Sequence, residues 1–188
     1  LPIHFHLMVL PGVKREEIEA QLTAHPEDRA ELLHPRTVVR RVDVASLSGD
    51  LRTFDRHPAL LTLLPGLEPR LRALLIDAGG RQFYAVPYAL AYADELFEVH
   101  QRLTEAAAVL AGTDDDLAAY LRHRALDLLQ NDYEAGDAAW VTGAFQHLNA
   151  QLGAYETYDD ALFGVKTFFG GSVLMRDAQK SAELSRSI

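Results

Sequence analysis

The chain has 188 residues, of which 48% are hydrophobic and 24% charged, as is ordinary for a globular protein. The formal net charge of −9 argues against a general nucleic-acid-binding role, because phosphate backbones are bound by basic surfaces. The lack of cysteine excludes disulfides, cysteine nucleophiles and thiolate metal sites, and no apolar run reaches the ~18 residues that cross a bilayer. We therefore expect neither a nucleic-acid partner nor a membrane partner.

The N-terminal residues indicate where the protein resides. Residues 1–10 lack the basic segment and the small-residue cleavage site of a signal peptide. Together with the lack of cysteine, this predicts a cytoplasmic protein. The first residue is Leu1 rather than methionine, so we expect the chain to be part of a longer protein.

The first half of the chain predicts short helices around two strands. Ile18 and Leu22 lie four residues apart on one helical face, Pro26 suits the first turn of a helix, and β-branched residues over 37–44 favour a strand. The predicted elements, in chain order, are helices over 14–24 and 26–33, a strand over 37–44, a polar break over 46–50, leucine-rich helices from Pro58 to Ile76 interrupted at Pro65-Gly66, a turn at Gly79-Gly80, and a strand over 81–86.

Two long helices are predicted in the second half, over 91–112 and 113–130. Apolar residues recur at helical spacing from Leu96 to Leu110, and the acids after Thr113 suit the start of the second helix better than a calcium loop. A loop over 131–137 and extended segments over 148–155 and 172–175 complete the prediction. The fold class is therefore α+β, a helix-rich lobe with a small, mostly antiparallel sheet, and we expect a single domain over residues 1–188.

No metal site is predicted within the chain. None of the eight histidines belongs to an H-E-x-x-H or H-E-x-x-x-H pattern. His4 and His6 would share one face of a strand, but two ligands do not complete a zinc site.

The run from Tyr155 to Lys166 carries the most distinctive chemistry, since two phenols and several acids stand close together. In an extended segment Glu156 and Tyr158 would point in the same direction. A carboxylate beside a phenol can hold an ammonium group and donate a hydrogen bond to a carbonyl oxygen. The alternative is a buried turn whose acids cap backbone amides, and the residues alone leave both interpretations open.

Three segments in order, over 85–88, 120–140 and 152–166, resemble the part of the dipeptidyl peptidase III family, especially its bacterial members, that precedes the zinc-binding motif. The resemblance covers roughly two thirds of the chain and is most specific over 153–166. It implies a two-lobed zinc exopeptidase that releases dipeptides from peptide N-termini. In that family Glu156 would bind the terminal ammonium group, and Tyr158 would hydrogen-bond the scissile carbonyl in the transition state.

The chain departs from the family pattern at Ala154, where relatives usually have proline, and at Gly170-Gly171, where they usually carry a phenylalanine-glutamate run. By the resemblance the zinc ligands belong to another lobe, so we expect no cofactor in this chain and no peptidase activity from it alone. The expected partners are short peptides with a free N-terminus and a zinc-bearing lobe of the same protein. The alternatives are a non-catalytic peptide-binding or interaction module and a structural homologue without a ligand.

Overall fold

A computed structural model describes residues 13–158 and 160–187, and the structural statements below concern that part of the chain. His4 and His6 lie outside it. The elements in chain order are α1 (Arg15–Ala24), a 3-10 turn (Pro26–Asp28), α2 (Arg29–Leu32), β1 (Thr37–Arg41), α3 (Val44–Arg56), α4 (Leu60–Leu63), α5 (Leu67–Ile76), β2 (Phe83–Pro87), α6 (Tyr88–Ala91), α7 (Ala93–Leu110), α8 (Asp115–Gln130), α9 (Glu134–Thr142), β3 (Leu148–Glu156), β4 (Phe168–Met175) and α10 (Ala178–Ser187). The helix-rich α+β prediction is confirmed. In the described part, no helix has both the length and the apolar character that crossing a bilayer requires.

The first sheet joins β1 and β2 in antiparallel register, from Thr37 opposite Pro87 to Arg41 opposite Phe83. Strand β2 is covered on both faces, because Phe83 packs with α1 and α2 whereas Tyr84 packs with α3 to α6. Its continuous apolar run is typical of a strand buried on both sides.

The region after β1 differs from its prediction. The strand ends at Arg41, and the predicted polar break over 46–50 lies inside helix α3. The carboxylate of Asp43 accepts a hydrogen bond from the Ser46 amide at 2.8 Å and so caps this helix. The polar residue Asp50 faces the interior, where it accepts a hydrogen bond from the Tyr84 hydroxyl at 2.7 Å. The sequence pattern looked like a break because a buried polar contact replaces an apolar one.

The two long helices are confirmed as α7 and α8, which pack against each other. Buried Ala107, Leu117 and Leu121 belong to one core cluster between them. Asp114 caps α8, since its Oδ1 accepts from the Leu117 amide at 3.1 Å.

The loop predicted over 131–137 is wrong from Glu134 onward, where α9 begins. Asn131 adopts a left-handed conformation with φ of 60°, which ends α8, and only three residues separate the two helices. The amide of Gly136 then donates to the buried Asp127 carboxylate at 2.9 Å, a bond that holds the first turn of α9 against α8.

The second sheet pairs β3 with β4 in antiparallel register, from Leu148 opposite Met175 to Glu156 opposite Phe168. The extended segments predicted over 148–155 and 172–175 are confirmed, although β4 begins earlier, at Phe168. Ala154 near the end of β3 is completely buried against α6, α7 and α8, so the helical layer supports the strand that carries the candidate site.

Candidate functional site

The two residues singled out from the sequence lie at the exposed end of β3. Glu156 is the last residue of the strand and is exposed, and its carboxylate makes no hydrogen bond or ion pair within residues 13–158 and 160–187. Tyr158 is 72% exposed, with its ring packed edge-on against Phe168 at a centroid distance of 5.0 Å. Because the strand ends at Glu156, the strand alternation that predicted a common direction does not extend to Tyr158.

A β-bulge lies immediately before Glu156. Ala154 pairs with Phe169 and Glu156 pairs with Phe168, so Tyr155 has no partner in the ladder. Bulges bend a strand and redirect its side chains, and they are frequent next to functional sites. The end of β3 therefore follows a course that the regular ladder does not determine.

The side chain of Tyr155 is hydrogen-bonded to the acidic partner of a buried arginine. Arg124 of α8 is 1% exposed and donates through Nη2 to Asp137 Oδ1 of α9, and the Tyr155 hydroxyl donates to the same oxygen. The guanidinium carbon lies 4.7 Å from the ring centroid of Tyr133, 5.6 Å from that of Tyr120 and 5.7 Å from that of Tyr155. Burial and the bond to Asp137 raise the pKa of Tyr155 above its usual value, so the hydroxyl stays protonated, and remains a donor, to a higher pH than a free phenol.

Asp127 is the second acidic neighbour of Arg124, and this pair is buried. Its side chain is 3% exposed, and Oδ2 lies 3.7 Å from Arg124 Nη1. Burial raises the pKa of Asp127, although the Arg124 charge opposes that shift. A Cβ at Gly136 would collide with Asp127 Oδ2 and lie 3.0 Å from Arg124 Nε, so the backbone of α9 approaches the pair more closely than any side-chain-bearing residue allows.

Among the described residues of the run, Asp160 is the acid that caps backbone amides. Its Oδ1 accepts from Leu162 at 2.9 Å and from Phe163 at 3.3 Å, and its Oδ2 accepts from Val165 and Lys166 at 2.8 Å each. Burial raises the pKa of Asp160, but these amides outweigh it, so the pKa lies below its usual value. The capping role that one interpretation assigned to the acids of this run thus belongs to Asp160, while Glu156 remains exposed.

Lys166, the last residue of the run, is hydrogen-bonded to the residues at and just before the start of β1. Its Nζ donates to the carbonyl oxygen of His34 at 2.8 Å and to Thr37 Oγ1 at 2.6 Å. Burial lowers the pKa of Lys166 to about 8, against the opposing effect of Asp160. The adjacent Thr167 amide donates to the Pro35 carbonyl oxygen at 2.9 Å. Both ends of the Tyr155 to Lys166 run are therefore anchored to the rest of the lobe.

A surface cavity of about 580 Å³ lies on the α9 side of this network. Its walls include Tyr133 and Asp137, whereas Glu156 and Tyr158 do not line it. The Arg124 network was not predicted from the sequence, although an arginine and an aspartate three residues apart on a predicted helix gave a local signal for the contact between Arg124 and Asp127.

The described residues do not fit a zinc centre. They contain no group of three or more histidine, aspartate or glutamate side chains close enough to hold a metal ion.

The fold described above is similar to two solved structures. The chain aligns over 95% of its length with the structure of DPP III from Caldithrix abyssi, at a TM-score of 0.68 and 28% identity. It aligns over 93% with the structure of dipeptidyl-peptidase III from Corallococcus sp. strain EGB, at a TM-score of 0.65 and 26% identity. This chain resembles dipeptidyl peptidase III. It spans 26% of the length of each of those two chains.

Two further comparisons complete the result. No model of a protein family matches the sequence. Nudix hydrolase 3 from Arabidopsis thaliana is 31% identical over 101 residues, which is 54% of this chain and 13% of that protein. The two structural alignments confirm the resemblance to dipeptidyl peptidase III that the segments over 85–88, 120–140 and 152–166 first indicated.

Proposed function

We propose that this chain forms the side of a peptide-binding cleft that receives the peptide N-terminus in a dipeptidyl peptidase III-like zinc exopeptidase. One observation carries the proposal: Glu156 is an exposed carboxylate at the end of β3 that no other described residue engages, and the exposed phenol of Tyr158 follows two residues later. The likeness to two dipeptidyl peptidase III structures supports the reaction class.

The chemistry of the two side chains suits two different steps. Glu156 would accept charge-assisted hydrogen bonds from the terminal ammonium group of a peptide. Tyr158 would donate to the oxygen of the scissile carbonyl, where negative charge develops as the bond is attacked. The anchored Tyr155 to Lys166 run would keep both groups at the cleft without ordering them anew for each substrate.

The partners follow from the same proposal. They are short peptides with a free N-terminus and a zinc-bearing lobe of the same protein, in a cytoplasmic setting. The described residues hold no metal cluster, and we assign the zinc ligands to that other lobe. The same observation favours a second candidate, a non-catalytic module that binds peptide N-termini without cleaving them.

Titration of this chain with tetraalanine and with N-acetyl-tetraalanine, followed by amide chemical shifts, tests the proposal. The free peptide should bind and shift resonances near Glu156 and Tyr158, whereas the acetylated peptide should bind weakly, because it lacks the ammonium group. Equal binding of the two peptides would contradict the proposed role.

Turnover separates the two candidates. The chain alone should release no dipeptide from a dipeptidyl arylamide, whereas the protein with its zinc lobe should do so if it is an exopeptidase. Stoichiometric zinc or arylamide cleavage in the isolated chain would overturn the assignment of the metal to another lobe.

A further inference from the structure

We propose that Asp137, held in place by Arg124, is a positioning residue for the ammonium site, acting through Tyr155 on the direction of Glu156. The inference rests on the proposed binding role of Glu156. Asp137 itself touches no peptide in this scheme, since it acts through the neighbouring side chain.

The geometry begins with the bulge. Ala154 is fixed because it is completely buried in the core, whereas Tyr155 lacks a ladder partner and half of its side chain is exposed. The course of the backbone between Ala154 and Glu156 is therefore constrained by the side chain of Tyr155 together with the pairing of Glu156 with Phe168. Its hydroxyl is bound by Asp137 Oδ1, and its ring packs against Tyr133 at a centroid distance of 5.6 Å.

Asp137 can hold the Tyr155 hydroxyl in place because two separate contacts fix the position of Asp137 itself. It lies in the first turn of α9, which the bond from the Gly136 amide to Asp127 holds against α8. Its Oδ1 also accepts from Arg124 Nη2, a donor buried at 1% exposure that cannot be exchanged for water. An acceptor fixed in this way transmits the rigidity of the two helices to the exposed end of β3.

The contact between Tyr155 and Asp137 can be removed by substitution without unfolding the protein, because both side chains are partly exposed. The Asp137 side chain is 47% exposed and Tyr155 is 47% exposed, so water can replace the lost hydroxyl in Tyr155→Phe. Tyr84→Phe is a matched control, because Tyr84 of β2 donates to Asp50 of α3 in a different core cluster from the one that holds Ala154 of β3.

The measurement is the ratio of affinities for tetraalanine and N-acetyl-tetraalanine in Tyr155→Phe, Asp137→Asn, the double variant and Tyr84→Phe. Tyr155→Phe should lower this ratio about 3- to 10-fold, the factor for loss of one net hydrogen bond. Asp137→Asn keeps an acceptor oxygen but removes its charge, so it should lower the ratio by a smaller factor. The double variant should lower it no further than Tyr155→Phe alone, because Asp137→Asn only weakens the bond that Tyr155→Phe removes. Tyr84→Phe should lower the thermal midpoint and leave the ratio unchanged.

Glu156→Gln, measured in the same way, distinguishes the proposed binding role of Glu156 from the proposed positioning role of Asp137. If Glu156→Gln leaves the ratio unchanged, the proposed function fails. If Glu156→Gln abolishes the preference while Tyr155→Phe and Asp137→Asn preserve it, the positioning role alone is wrong. A parallel loss of affinity for both peptides would also overturn it, since a general structural defect does not discriminate between them. Should Asp137→Asn not fold, Tyr155→Phe decides the question.

Discussion

Replacement of Arg124 by methionine should be among the most destabilising single changes in the lobe. Methionine keeps much of the apolar volume but leaves the Asp127 carboxylate, 3% exposed, with the Gly136 amide as its one remaining hydrogen-bond donor among residues 13–158 and 160–187. Removing one member of a buried ion pair typically costs about 3–5 kcal/mol, because the remaining charge stays buried. With a urea dependence of about 2 kcal/mol per M, the unfolding midpoint should fall by about 2 M.

Trp140 provides the assay for this variant. It is the only tryptophan of the sequence, and its indole donates to Asn149 Oδ1 at 3.0 Å, between α9 and β3. Urea unfolding followed by its fluorescence should also show a smaller loss at pH 4 than at pH 7, because protonation removes the buried charge of Asp127. The double variant Arg124→Met with Asp127→Asn should recover most of the stability. A loss below about 1 kcal/mol in the single variant would refute the buried-pair argument.

Three further predictions concern Gly136 in the first turn of α9, the buried Lys166 and the phenol of Tyr158. Gly136→Ala should cost about 1–3 kcal/mol in urea unfolding because its Cβ collides with Asp127, whereas Gly170→Ala, which has no atom within 4 Å of a new Cβ, should stay within about 0.5 kcal/mol. Since burial lowers the pKa of Lys166 from 10.5 to about 8, the unfolded chain binds more protons between these values, so stability should rise by about 2 kcal/mol from pH 7.5 to 9.5. Lys166→Met should abolish that rise, and an equal rise in the variant would assign it to other groups. In the protein with its zinc lobe, Tyr158→Phe should lower kcat about 10²–10³-fold with a smaller effect on KM, and an unchanged kcat would remove Tyr158 from the catalytic groups.

The sequence predicted the elements whose signal is local. Helices α7 and α8 follow from apolar residues at helical spacing over 18 and 16 residues, and the cap at Asp114 marks their boundary. Helix α3 was missed because its polar residue Asp50 is buried against Tyr84, 34 positions away, and a long-range contact leaves no trace in local periodicity.

The candidate site was predictable in composition but not in geometry. The residues showed that an acid of the run would cap amides or face a ligand, yet only the fold assigns the capping to Asp160 and leaves Glu156 exposed. The bond between Tyr155 and Asp137 joins a strand to a helix 18 positions earlier, so no spacing rule anticipates it.

Isothermal titration calorimetry of Glu156→Gln with tetraalanine tests the central claim most directly. The substitution keeps the shape of the side chain and removes its charge, so binding should weaken by about 1.5–3 kcal/mol, the range for hydrogen bonds to charged groups. Glu98→Gln, at an exposed glutamate of α7, is the matched control and should bind as the unmodified chain does. N-acetyl-tetraalanine should bind equally weakly to all three proteins. Unchanged affinity of Glu156→Gln for the free peptide would contradict the account.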